Sequence, residues 1–447
     1  MIGVLASQRR RIAVVRPLVQ IRWSVARWAF GLGASKRSVN VELMDRNTTQ
    51  DPIVVDLFGG CGSFSLGFRK AGFRPAVAVE WDEHAANTYR ANIEGATVLQ
   101  RDLNGVTSDD ILGMLDGKTP SVVISGSPCQ GFSTVGKRDP DDPRNSLLAA
   151  AGRLAVGLKP RVFVAENVVG VASGAHRRHW EELLGVMTSN GYHAAEIKCD
   201  AGDYGVAQVR RRMVLVAWRT RGELAPAAPK KRRRTLAQAI ANLNGAMHHE
   251  PRRLVAGSHA ARIAKHIAPG QKLCNVRAGE RAVPTWAIPE VFGRTNEAER
   301  VVLIAIRALR RTNRLRDYGD ADPVTEATIA RHVGRNVADI LAALINKGYV
   351  RKVTRRYDLT HTFNGKYRRL CWDEPSLTVD TRFGEPRYFL HPDEARGFSV
   401  REAARIQGLP DDFTLLGPDR EQFRMTGNAI PLQMAVHLGQ LARSLVR

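Results

Sequence analysis

A single cysteine, Cys129, stands between Pro128 and Gln130 in the stretch SGSPCQGFSTVGKRD, directly after the β-branched run PSVVIS. A thiol presented rigidly at the mouth of a cleft suits nucleophilic catalysis, provided it can form a thiolate. Pro128 fixes φ before the cysteine, and with Gln130 it frames the sulfur. Glu166 closes another apolar run, RVFVAENV, where burial favours a carboxyl that holds a proton for an acid step. In QVRRR, Gln208, Arg210 and Arg212 alternate just before a strand and so point to one side.

A second series describes a binding site. Asp56-Leu57-Phe58 ends a strand, and Gly59, Gly60 and Gly62 then turn the chain into a helix. Such glycines let backbone approach a ligand, with a helix N-terminus beyond. Glu80 in AVAVEWDEHA ends the next strand, where an acid can accept two ribose hydroxyls. Trp81 offers a flat face to an adenine, and Asp102 in VLQRDLNGV is placed to accept from an adenine amino group. Glycine turn, acid, acid, in that order, fits an adenosine without a pyrophosphate. Taken singly, each acid is an ordinary surface residue.

The elements that must position these residues alternate. Strands are expected at Ile53–Leu57, Ala76–Glu80, Thr97–Leu103, Val122–Ser125, Arg161–Ala165 and Met213–Trp218, with helical periodicity between them. Uniformly apolar strands alternating with helices predict an α/β fold with a doubly wound, mostly parallel sheet. Ligands of such sheets bind beyond the carboxyl ends of the strands, so each polar residue above should lie at a strand tip. After Trp218 the stretch RTRGELAPAAPKKRRRT marks a boundary. Residues 50–218 and 421–447 are assigned to one catalytic domain, and 219–420 to a recognition region. Within the latter, an amphipathic helix, a helix, a glycine turn, a longer helix and a basic hairpin over 296–360 follow the order of a winged helix-turn-helix. An ordinary helical hairpin is the alternative. Near the end, Ser399 and Glu402 have capping-box spacing, and Pro431 stands at a helix start.

Composition narrows the partners. Lys and Arg number 67 against 44 Asp and Glu, a formal charge of +23, which points to a polyanion such as nucleic acid. No apolar run approaches the roughly 20 residues of a membrane helix, so no membrane partner is expected. The five cysteines are scattered, without zinc-ligand spacing; no metal is expected, and a buried inert thiol in a reducing compartment is the alternative for any of them. Residues 1–49 are arginine-rich, with no acid before Glu42. They are read as a disordered basic extension, with a nucleic-acid-binding tail and a transit peptide as alternatives.

In this order the motifs resemble the DNA cytosine-5 methyltransferases. Asp56–Phe68, VEWD, RDL, GSPCQGFS, ENV, QVRRR, EPSLTVDTR (Glu374–Arg382) and GNAIP (Gly427–Pro431) match that family's motifs from about Asp51 to the C-terminus. The resemblance implies S-adenosyl-L-methionine as cofactor, lined by Phe58, Gly60, Gly62, Glu80, Trp81, Asp102, Leu103, Pro128, Leu147 and Asn428. It implies a cytosine flipped out of double-stranded DNA, with Cys129 adding to C6 and Glu166 contacting the N3 and amino edge. Arg212 would contact the base, Arg210 would hold the loop, and Gln130 would belong to the catalytic set. Gln208, Lys137 and Arg138 would face DNA, the latter two on a flap after Cys129. So would Arg331, Arg335, Asn336, Arg351, Lys352, Arg355 and Arg356 of the winged helix. The run Lys230–Arg234 either joins them or is a solvated linker. Where many members have Ala-Gly-x-Gly-Gly, this chain has Gly-Gly-Cys-Gly-Ser, which keeps Gly60 and Gly62. The family setting implies a monomeric, cytoplasmic, nucleoid-associated bacterial enzyme, solitary or paired with a restriction endonuclease. Two alternatives stay open: a transfer-RNA cytosine-5 methyltransferase, and a catalytically silent winged-helix regulator.

Overall fold

Small and β-branched residues alternate their side chains between two apolar layers, and this sets the strands. The computed structural model describes residues 51–129, 131–132, 139, 141–224, 230–243, 245–312, 322–360 and 365–446. Residues 1–49, Gln130, Lys137 and Arg138, all singled out above, lie outside these. Seven strands form one sheet: β1 (Ile53–Asp56), β2 (Arg74–Val79), β3 (Thr97–Leu99), β4 (Val122–Ser125), β5 (Val162–Val168), β6 (His193–Asp200) and β7 (Arg211–Trp218). Their spatial order is β3-β2-β1-β4-β5-β7-β6. β1 to β5 run parallel. β7 is antiparallel to both β5 and β6. The expected α/β fold with a mostly parallel sheet is present, with one reversed strand.

Helices cover both faces. On one, Val55, Val123 and Phe163 pack against α3 (Ser108–Met114), α4 (Leu147–Leu158) and α5 (Arg177–Ser189), with Trp180, Leu183 and Met187 at the centre. On the other, Val54, Val122 and Val162 meet α1 (Ser63–Lys70) and the C-terminal helix Leu432–Val446. Neighbouring residues of one strand thus feed opposite layers, and each fully buried aliphatic stabilises by about 1.5–3 kcal/mol. The last helix is bound into the first motif: Arg443 Nη1 donates to Gly72 O at 2.9 Å across 371 residues of sequence.

Three strand expectations need correction. β6 was not anticipated; it is an edge strand that pairs on one side only, and its sequence HAAEIKCD is mostly part-exposed, so it lacks the apolar run of a central strand. β3 stops at Leu99, which leaves Asp102 in the following turn. β5 runs on to Val168, so Glu166 lies inside the strand instead of at its tip. Reversal of β7 brings Arg212 opposite Val168, so the residues entering β7 cross the carboxyl edge of the parallel strands.

Beyond Trp218, residues 236–243 and 370–432 build a further core around Phe383, Phe398 and Phe413. The capping box is present: Ser399 Oγ accepts from Glu402 N, and Ser399 N donates to Glu402 Oε2, at the head of helix Val400–Ile406. Residues 297–359 have a separate core of Val302, Ile306, Ile329, Leu341 and Leu344. It joins helices Glu297–Thr312, Glu326–Val333 and Ala338–Lys347 to a three-stranded sheet in which Arg356–Leu359 lies between Val324–Thr325 and Val350–Val353.

Candidate functional site

One cavity gathers the ends of β1, β2, β4 and β5 with the start of β7 and residues 424–430. Its first wall is the glycine turn. Gly60 and Gly62 adopt φ of 52° and 88°, a left-handed backbone that glycine takes without strain, and a Cβ on Gly60 would meet nothing within 4 Å. Gly60 N donates to Glu80 Oε2 at 2.8 Å, and Asp82 N donates to Glu80 Oε1 at 2.9 Å. Burial pushes the Glu80 carboxyl up, against these two donors. Each oxygen keeps lone-pair capacity for a further donor such as a ribose hydroxyl. Beneath the turn, fully buried Asp56 accepts from Ser65 Oγ at 2.8 Å, and Tyr89 Oη donates to Ser65 Oγ at 2.7 Å. Burial pushes Asp56 up to about 7.

Trp81, on the next wall, is 68% exposed, an apolar face left uncovered at the cavity rim. Asp82 caps α2 (Glu83–Asn92) through Ala85 N and pairs with Arg424 Nη2 at 2.6 Å. Arg424 and Asn428, four residues apart on helix Asp419–Asn428, both line the cavity. Phe58, Pro128 and Cys129 line it too. An exposed indole, a part-buried acid with open lone pairs and clear space over Gly60 are a set that fits an adenosine-bearing cofactor. Gly62, Asp102, Leu103 and Leu147 are not among the lining residues. Gly62 caps α1 from behind the turn. Asp102 is exposed and caps a short turn by accepting from Asn104 N at 2.8 Å. Leu103 packs in the core, and Leu147 begins α4.

The far wall carries the reactive groups. Cys129 follows β4 in a half-buried position, and burial pushes its thiol above the usual range, opposed chiefly by Arg212. Its loop is fixed at both ends. Upstream, Asn167 Nδ2 donates to Ser127 Oγ at 3.1 Å. Downstream, Phe132 N donates to Cys129 O at 3.0 Å, and the buried Phe132 ring meets His176 edge-on at 5.6 Å. Asn145, 1% exposed, donates to Asp139 O at 3.1 Å, and its Oδ1 would lie 2.1 Å from a Cβ at Gly131. Only glycine fits at 131, so one asparagine abuts both feet of the stretch after the cysteine.

Glu166 is 7% exposed, and Arg212 Nε lies 2.7 Å from its Oε1. Arg210 is buried behind them and donates to Val379 O, Gly427 O and Ala429 O at 2.9–3.0 Å. Burial, with Arg212 beside it, pulls its guanidinium down to about 9, which still leaves it charged at neutral pH. The loops it ties are those of the two last motifs. Gln208, expected at DNA, is fully buried: its amide donates to Gln407 Oε1 and accepts from Val379 N. Both ends of that side chain are used inside the protein, so a contact with DNA is not open to it.

The surface candidates divide similarly. Lys230 and Arg233 of the basic run pair with Asp203 at 3.1 and 2.9 Å, so part of that charge is answered locally. Asn336 Oδ1 accepts from Ala338 N, Arg351 reaches Asp358 at 3.3 Å, and Arg356 donates to Pro323 O. Arg331, Arg335, Lys352 and Arg355 are exposed. Asn145, Asn167 and Arg424 were missed from sequence. Arg424 carried a signal, the four-residue spacing to Asn428 on one helix face. Asn145 carried none, since its burial depends on distant packing.

The family described as C-5 cytosine-specific DNA methylase matches residues 53–442. Type II methyltransferase M.XorII of Xanthomonas oryzae is 31% identical over 402 residues, covering 88% of this chain and 85% of that one. Type II methyltransferase M1.HphI of Haemophilus parahaemolyticus is 30% identical over 388 residues, covering 85% and 84%. Among solved structures, a candidate DNA modification methyltransferase encoded within an E. coli prophage superposes with TM-score 0.53 at 23% identity, over 88% of this chain and 99% of that one. This last likeness is one of fold.

Proposed function

The chain belongs to the C-5 cytosine-specific DNA methylases and is a DNA cytosine-5 methyltransferase that uses S-adenosyl-L-methionine, and we propose that it acts through a flipped cytosine and a covalent Cys129 adduct. The observation that carries this is the shared cavity: Cys129, Glu166, Arg210 and Arg212 line the same space as Phe58, Gly60, Glu80, Trp81 and Asn428. A base inside the stack could not reach Cys129, so the target nucleotide is taken out of the duplex. Cys129, as thiolate, bonds to C6 and places electron density on C5. Arg212 lies where it compensates both Glu166 and the thiolate, and Glu166 meets the N3 edge as charge develops there. When bound, S-adenosyl-L-methionine supplies the methyl that C5 takes. Loss of the C5 proton then lets the C6–S bond break and returns Cys129. Glu80 and Trp81 hold the ribose and adenine, and Asp102, Leu103 and Leu147 support that wall from outside the cavity.

We further read residues 50–218 and 421–447 as the catalytic domain, and 219–420 as the recognition region, with a winged helix over 296–360. The relatives are named type II methyltransferases, which supports a bacterial modification enzyme in the cytoplasm, paired with a restriction endonuclease or solitary, acting as a monomer on double-stranded DNA. Bisulfite sequencing of DNA from a host expressing the chain tests this directly. Unconverted cytosines should persist only within one short sequence, and Cys129→Ser should abolish protection while retaining DNA binding. Protection by the Cys129→Ser protein at the wild-type level would refute the nucleophile.

A further inference from the structure

Residues 297–359 have their own small core, and their exposed basic residues are unevenly placed. Helix Ala338–Lys347 follows a helix and a glycine turn, the place at which a recognition helix would stand. Its exposed positions are Ala338, Asp339, Ala342 and Asn346. None is Arg, Lys or Gln, and Asp339 opposes a phosphate near the helix start. Its single lysine, Lys347, is drawn inward to Glu299 at 2.7 Å and to Arg294 O at 3.0 Å.

The hairpin that follows is the opposite. Strand Val350–Val353 pairs with Arg356–Leu359, and Val353 faces Arg356 across a two-residue tip, Thr354-Arg355. Arg351, Lys352 and Arg355 are exposed. Arg351 shares Asp358 with buried Arg310; Lys352 sits 6.0 Å over the Tyr357 ring. No ion pair holds Lys352 or Arg355 among the described residues. Thr354 has φ of 58°, a strained conformation for a β-branched residue. The tip is therefore kept in an unfavourable shape, with Arg355 in it and Lys352 beside it, neither held by an ion pair among the described residues.

We propose that this module holds duplex DNA by its phosphates through the hairpin, Lys352 and Arg355 foremost, and adds affinity without sequence choice, the helix Ala338–Lys347 making no base contact. This rests on the reading of 296–360 as a DNA-engaging module. Lys352 can meet a phosphate as a point charge and Arg355 as a two-pronged fork, and phosphate contacts fix position without carrying sequence. Choice of site then belongs elsewhere in the recognition region.

The test uses the full chain. Lys352→Ala/Arg355→Ala removes two phosphate contacts at exposed positions, so the slope of log K against log salt should fall by about 2. Affinity should drop about ten-fold at moderate salt, equally for a duplex bearing the methylated site and for an unrelated one. The sequence protected in bisulfite reads should stay the same. In parallel, Asp339→Asn/Asn346→Ala should leave both salt slope and protected sequence unchanged. An unaltered slope in the first variant, or an altered protected sequence in the second, overturns the proposal. Wild-type chain that neither binds nor methylates duplex DNA would instead overturn the parent reading.

Discussion

The cavity and the helix–hairpin module handle positive charge in opposite ways. In the cavity every arginine is answered at short range: Arg212 by Glu166, Arg424 by Asp82, and Arg210 by three carbonyls. In the module the hairpin and the end of helix Glu326–Val333 leave Arg331, Arg335, Lys352 and Arg355 open to solvent. A desolvated cation without a partner is costly, so burial requires an answer for each and thereby fixes geometry to tenths of an ångström. A solvated cation needs none and tolerates movement. The cavity's arginines position atoms; the module's unpaired surface cations supply field.

The sharpest way to break this contrast is Arg212→Met. It strands Glu166 without a counter-charge and removes the main cation opposing burial of Cys129. Turnover should fall by about 10²–10³-fold, read as single-turnover methyl transfer. The sign for the thiol is explicit: burial already holds its pKa above the ordinary range in the free protein, so little thiolate exists at neutral pH. Alkylation of Cys129 should speed up with rising pH through a midpoint above that of a free cysteine, and Arg212→Met should move the midpoint higher still. A turnover within a few-fold of wild type, or a midpoint that moves down, would remove the distinction drawn above.

A smaller effect is expected at Asn145. Replacement by alanine frees both feet of the stretch after Cys129 and leaves Asp139 O without its donor. Loss of about 1–3 kcal/mol in denaturant unfolding should accompany it, with kcat reduced about ten-fold and the cofactor KM unchanged. A change confined to KM would assign Asn145 to the cofactor wall. The smallest effect sharpens the module side: Thr354→Gly relieves the hairpin tip and should raise stability by roughly 1 kcal/mol, seen as a higher Tm, with methylation rate unaffected. A lower Tm would mean the tip is not strained.

What could be read before any fold was in view follows the same division. The series Gly60, Glu80, Cys129 is legible because each residue lies within four positions of the end of an apolar strand, so local pattern alone puts it at the sheet's carboxyl edge. Gln208 was misplaced because alternation tells which residues share a side, not whether that side meets solvent or helix Val400–Ile406 some two hundred residues on. The ion pair of Glu166 with Arg212 could not be read from sequence, because Arg212 arrives through a reversed strand and strand direction leaves no mark on composition. β6 escaped because an edge strand needs no apolar run. Asp102 carries the right chemistry, yet β3 ends early and turns the side chain to its own backbone.

The bond from Arg443 to Gly72, with the last helix packed on α1, sets a timetable. The glycine turn is among the first described segments to be made, but the wall that Arg424 and Asn428 provide is made more than 360 residues later. At roughly 5–20 residues per second, the earlier half waits about 20–75 s for the later one. A nascent chain that has not yet reached Asn428 therefore lacks a complete cavity wall.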